Sequence, residues 1–178
     1  MSLRAAIAIG IGALSVVSAV WGVPALMRRQ YQTEAIQTLA KLSRTASIYF
    51  VKPRGDETGN RMLCQFPQGE IRSTLAKSCC DPSVNNGDGL CDPAKMEWNR
   101  TLWLGLRFQP TEAHAYVYEY KASGTLAAAK YELSAYGDLD CDGVYSTFRF
   151  IGHGSKDSSP IDCILTESAE FQTFSPEE

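Results

Sequence analysis

The sequence predicts an α+β fold: one long N-terminal helix packed on an antiparallel four-stranded sheet, with disulfide-stapled loops between them. Three observations predict it. Residues 5–27 form a run of 23 residues without a formal charge, leading directly into an apolar stripe at helical spacing. From Leu102 the texture changes to short runs rich in Tyr, Phe, Val and Thr, separated by turn residues, as strands are. Six cysteines, an even number, lie downstream of the helix at Cys64, Cys79, Cys80, Cys91, Cys141 and Cys163. The chain divides accordingly into a helix over 1–52 and a globular head over 53–178.

The helix has two halves. The first, 3–27, is long enough to cross a bilayer core at 1.5 Å per residue, and three readings fit it. One is a cleaved secretory signal, with Arg4 as its basic start and Val17-Ser18-Ala19 as its cleavage site. Another is an uncleaved membrane anchor. The third makes the anchor an assembly surface as well, because Gly10, Gly12, Ala13, Ser15, Ser18 and Ala19 allow close helix–helix approach. Pro24 removes a backbone donor and predicts a kink. In the second half, 28–50, Tyr31, Ala35, Leu39, Leu42, Ala46 and Tyr49 recur at steps of three and four and mark a face for the sheet. Pro53-Arg54-Gly55 ends the helix.

Residues 55–100 are dense in Gly, Pro, Asn and Asp, so they read as irregular loops that need covalent staples. Adjacent Cys79 and Cys80 bond to different partners, since a vicinal disulfide would strain the backbone between them. Cys141 is then the remaining partner for Cys163, one choice among fifteen connectivities. Pro93 opens a short helix over 93–98. Four strands follow at 102–108, 114–121, 125–136 and 144–151. In the second, Tyr116, Tyr118 and Tyr120 share one face; in the third, Ala127, Ala129, Tyr131, Leu133 and Ala135 do, with Lys130, Glu132 and Ser134 opposite. Short connections make the sheet an antiparallel meander with one buried face, which the helical stripe covers.

Charge and cysteines bound the function. Residues 1–54 carry seven Lys/Arg against the single acid Glu34, whereas 55–178 carry ten against nineteen Asp/Glu. An acidic head argues against nucleic-acid binding, which needs a basic face, and suits cations. Without a CxxC pair, and with only His114 and His153, zinc has little support. Disulfides place the head in an oxidising compartment.

The sharpest local motif is Asp138-Leu139-Asp140-Cys141-Asp142-Gly143 in the third inter-strand turn. Asp138, Asp140 and Asp142 put hard oxygen ligands at alternate positions, the pattern that suits Ca²⁺; a polar Asp-Gly turn without metal is the competing reading. Counting Asp138 as position 1, position 9 is Ser146 and position 12 is Arg149, so the bidentate Glu of an EF-hand is missing. Asn85, Asn86, Asp88 and Asp92 form a weaker second cluster. Catalytic constellations are absent: no nucleophile elbow, no phosphate-cradling glycine loop, no His-x-x-x-His. His153, flanked by glycines, reads as an inert loop residue, and His114 as a partly exposed strand opener. The chain is therefore not expected to be an enzyme.

Gly22-Val23-Pro24-Ala25-Leu26-Met27-Arg28-Arg29, followed by Glu34-Ala35-Ile36-Gln37-Thr38-Leu39, resembles the helix of type IV pilins and type II secretion pseudopilins. Cys64-Gln65-Phe66-Pro67, Ser78-Cys79-Cys80, the block 98–108 and the block 135–143 are similar to pilin-type proteins of the myxobacterial kind. At the helix start the chain departs from that pattern: Ile7 stands where the family has the glutamate that pairs with a neighbouring subunit, and the cleavage motif before it is missing. The resemblance implies a minor pilin or pseudopilin, anchored in the inner membrane with an extracytoplasmic head or assembled in a filament, with other such subunits as partners. The alternative is a membrane-anchored, non-polymerising periplasmic module that binds through a calcium-ordered loop.

Overall fold

The computed structural model describes residues 3–166 and 169–176, with side chains from Leu26 onward. Helix α1 (Leu3–Val51) is followed by β1 (Gly69–Arg72), a 3-10 turn (Pro93–Lys95), the one-turn helix α2 (Thr101–Gly105) and β2 (Val117–Ser123). A second 3-10 turn (Leu126–Ala128), β3 (Lys130–Gly137), β4 (Ser146–His153) and β5 (Glu170–Phe174) complete the chain. The strands form one antiparallel sheet in the order β1-β2-β3-β4-β5, a meander. The register stacks Ile71, Tyr120, Leu133, Phe150 and Phe171 as one cross-strand row. The next row, Arg72, Glu119, Ser134, Arg149 and Gln172, points the other way and is polar.

α1 lies on the apolar face. Ala35, Leu39, Leu42, Ala46 and Phe50 are fully buried, at steps of three and four, and Tyr31 packs at the edge of the same cluster. Each Leu or Phe in this stripe contributes about 1.5–3 kcal/mol by leaving water. Two hydroxyl contacts cross the seam: Ser43 Oγ meets Tyr131 Oη at 2.6 Å, and Tyr118 Oη donates to Glu34 Oε1 at 3.1 Å. The stripe ends on Phe50 rather than Tyr49. Four residues beyond Ala46 returns to the buried face, while Tyr49 turns outward under the Arg54 guanidinium, 3.4 Å from the ring centroid. Bulky tyrosines fit beneath the helix because glycines face them: a Cβ on Gly137 or Gly152 would overlap the ring of Tyr116 or Tyr131.

Three expectations are corrected. First, among the described residues no helix is long and apolar enough to cross a membrane. The membrane half expected at 3–27, with the small-residue face at 10–19, falls almost wholly outside the described side chains. From Arg28 onward, Arg28, Arg29, Glu34, Lys41 and Arg44 interrupt apolarity, so the described part of α1 is amphipathic. The helical backbone itself runs through Pro24.

Second, the sheet has five strands, not four. Residues 102–108 form α2 and its exit instead of a strand: Trp103 and Leu106 are buried three apart while Leu104 between them is exposed, a helical and not an alternating pattern. Arg107, with φ 50°, turns the chain out of the helix. The two strands that sequence missed are both edges. β1 buries one residue, Ile71, and β5 buries none, so neither carries the alternation that identifies a strand.

Third, the pairing is Cys64–Cys163, Cys79–Cys91 and Cys80–Cys141. Cys79 and Cys80 do bond apart, but Cys141 joins Cys80, and the tail is tied to Cys64 in the loop between α1 and β1. The Cys79–Cys91 bond closes a loop that covers Val117 on the outer sheet face, with Ala76 and Val84.

The Cys64–Cys163 bridge closes the longest loop, with a sequence separation of 99, so the chain-entropy model gives it the largest effect, roughly 4–5 kcal/mol. Replacing both cysteines by serine is expected to lower unfolding free energy by about 3–5 kcal/mol in denaturant titration. Non-reducing peptide mapping of the wild-type protein is expected to return the three pairs above.

Candidate functional site

β3 ends at Gly137 and β4 begins at Ser146, and the turn between them carries the aspartates. Two residues bend it through left-handed backbone, Cys141 at φ 61° and Gly143 at φ 91°. Cys141 is held there by its bond to Cys80, which anchors the turn to the loop region. The result gathers the three carboxylates: one oxygen from each of Asp138, Asp140 and Asp142 lies within 4.8 Å of the others. These three residues could hold a metal ion.

The three carboxylates are differently placed. Asp138 is 5 % exposed. Its Oδ2 accepts the Gly143 N–H at 3.2 Å, and its Oδ1 is buried with no hydrogen-bond donor. A buried carboxylate oxygen left without a donor costs on the order of 1–3 kcal/mol, and a cation is one way to satisfy it. Asp142 is exposed and accepts the Val144 N–H at 2.7 Å, an Asx turn. Asp140, also exposed, lies 3.7 Å from a guanidinium nitrogen of Arg28 on α1. Ser146, placed ninth by sequence counting, is unavailable to a metal: it is fully buried and its hydroxyl donates to the Gly137 carbonyl at 3.4 Å. Arg149, the twelfth, sits on the outer face against Glu132 at 3.2 Å.

In the weaker cluster at 85–92, Asn85 Oδ1 accepts from Gly87, Asp88 Oδ1 from Leu90, and Asp92 from Ala94 and Asn86, bonds that form the turns and cap the Pro93 turn. The loop nonetheless approaches the site. Met27, Arg28, Asp88, Leu90, Leu139 and Asp140 line a cleft of about 310 Å³ between α1 and the two loops.

The histidines come out differently from expectation. His114, read as partly exposed, is 5 % exposed and packs among Trp98 and Tyr118, with ring centroids 5.8 and 5.7 Å away. Burial lowers its pKa, and the contact of Nδ1 with the Glu112 carbonyl partly offsets that. His153 closes β4, paired with Lys130, and is not in a loop. Among the described residues, neither imidazole hydrogen-bonds to a nucleophile.

Sequence reasoning passed over Glu34, although the signal was there: it is the only acid in residues 1–54 and precedes the first buried residue of the stripe. Its carboxylate enters the seam beside β2 and accepts the Ala115 N–H at 3.3 Å and the Tyr118 hydroxyl. Burial raises its pKa above 4.5, and the two hydrogen bonds oppose the rise. No family model, curated protein or solved structure matches this chain.

The raised pKa of Glu34 fixes the sign of a pH effect. The folded protein holds this proton more tightly than the unfolded chain, so this group's contribution to stability falls as pH rises through 4.5 to the folded value. Glu34→Gln keeps an acceptor and removes the charge. Thermal unfolding across pH is expected to give the variant a higher Tm than wild type at pH 7, with the gap closing below pH 4.5.

Proposed function

We propose that this chain is a structural, pilin-like subunit, a minor pilin or pseudopilin of a type IV pilus or type II secretion apparatus, that assembles through the N-terminal part of α1. The observation that carries this reading is the division of labour along the helix. The stripe from Tyr31 to Phe50 serves the chain's own sheet, and α1 continues for another 28 residues ahead of Tyr31, back to Leu3. A helix about 70 Å long at 1.5 Å per residue exceeds what one small sheet can cover. Its leading part is apolar in sequence and rich in small residues, which suits packing against equivalent helices. Three disulfides fit an oxidising, extracellular or periplasmic environment, where such assemblies work. Among the described residues, the site geometry offers a cluster of three carboxylates and buried aromatic packing, which suits a structural role.

Within this reading the 138–142 turn takes Ca²⁺. All-oxygen carboxylate ligands on an irregular turn suit a large, hard cation, with water and main-chain oxygens completing its shell. The donorless Oδ1 of Asp138 also favours a second reading, a non-polymerising binding module whose surface is ordered by the cation.

Isolation of native surface filaments and of assembly complexes separates the two. Recovery of the protein in either supports the subunit; its absence from both leaves the binding module. For the cation, thermal unfolding in saturating Ca²⁺ against chelator is expected to raise Tm by several degrees, since ligand at 100 times Kd contributes about 2.7 kcal/mol. Asp138→Asn is expected to abolish that shift while leaving Tm in chelator unchanged or higher. An unshifted wild-type Tm would remove calcium from the proposal.

A further inference from the structure

Arg28 and a metal ion want the same carboxylate. Asp140 is one of the three residues whose carboxylates converge in the 138–142 turn, and its Oδ2 lies 3.7 Å from a guanidinium nitrogen of Arg28. Arg28 reaches it from α1, three residues ahead of Tyr31, where the packed stripe begins. The side chains are 37 % and 46 % exposed, so the pair is wet and weak. Within the turn Asp138 is 5 % exposed; its Oδ2 accepts the Gly143 N–H, and its buried Oδ1 lacks any donor among the described residues, an acceptor a cation would satisfy.

We infer that Arg28 is a tethered competitor for the cation at Asp138, Asp140 and Asp142, so that filling the site releases α1 from the turn at that point. The inference rests on the cation reading above. With the ion absent, the guanidinium neutralises part of the crowded negative charge. A divalent ion drawing Asp140 to 2.3–2.6 Å consumes that charge and repels the guanidinium. Linkage makes the effect mutual: whatever the Arg28 pair takes from cation affinity, the cation takes from the pair. The consequence is a cation-sensitive tie between the head and the stretch of α1 just outside the packed stripe. Asp88 lines the same cleft and keeps it acidic once Arg28 has moved.

Calorimetric titration of Ca²⁺ into the full chain tests this with two variants, Arg28→Gln and Arg28→Lys. A wet ion pair of this kind predicts that Arg28→Gln binds Ca²⁺ about two- to five-fold more tightly than wild type. Arg28→Lys keeps the charge and is expected to stay near wild type. Equal or weaker binding by Arg28→Gln overturns the competition, and so does Arg28→Lys behaving like Arg28→Gln. If wild type and both variants bind no Ca²⁺, the cation reading falls and the competition with it, an outcome distinct from equal affinities.

Discussion

The structure depends on one contact, the seating of a single helical stripe on the tyrosine face of a five-stranded meander. Ala35, Leu39, Leu42, Ala46 and Phe50 meet Tyr118, Tyr120, Tyr131 and Leu133, and these buried side chains form the main core of the head. Two of the five stripe residues, Ala35 and Ala46, are small, and both are fully buried. Gly137 and Gly152 make room on the sheet side for rings that would otherwise collide. The other face is polar along the row Arg72, Glu119, Ser134 and Arg149, and the Cys79–Cys91 loop covers part of it at Val117.

Among the described residues the core leaves the indole nitrogens of Trp98 and Trp103 without a partner, whereas the carboxylate at the helix–sheet seam is paired. Glu34 enters it with its charge desolvated, and the Tyr118 hydroxyl and Ala115 N–H accept that cost jointly. Tyr118 in turn has its hydroxyl pKa pushed well up, by burial first and by Glu34 second, which keeps it a donor across the whole physiological range. The carboxylates of the 138–142 turn are solved differently. There the backbone supplies two N–H donors and α1 supplies a guanidinium, and one buried oxygen still lacks a donor. The turn lies where helix, disulfide-bonded loops and sheet come together, with Asp140 facing Arg28 of α1.

The disulfides perform three separate tasks. One secures the C-terminal segment to the start of the head, one closes the loop over Val117, and one pins the aspartate turn through Cys141. Together they hold the parts that the helix–sheet core does not reach. A basic helix beside an acidic head adds a long-range attraction of the same sense, visible locally as Arg28 against Asp140.

Much of this was legible in the sequence, and the reason differs by element. The packed stripe of α1 and strands β2, β3 and β4 are long and carry large apolar residues at helical or alternating spacing, so the side-chain pattern alone identifies them. The aspartate turn was legible because D-x-D-x-D-G sets three carboxylates on one bend whatever surrounds it. The edge strands β1 and β5 were not legible: they bury almost nothing, and only pairing with β2 and β4 makes them strands. The run 102–108 is apolar enough for either structure, and tertiary burial of Trp103 and Leu106 decided for helix. Cysteine pairing, the seat of Glu34 and the reach of Arg28 to Asp140 join residues 12 to 112 positions apart, and local spacing carries no information on which of them meet. By itself the sequence determined which faces must be buried and which turn holds the charge; the tertiary structure alone decided what each face and each charge would meet.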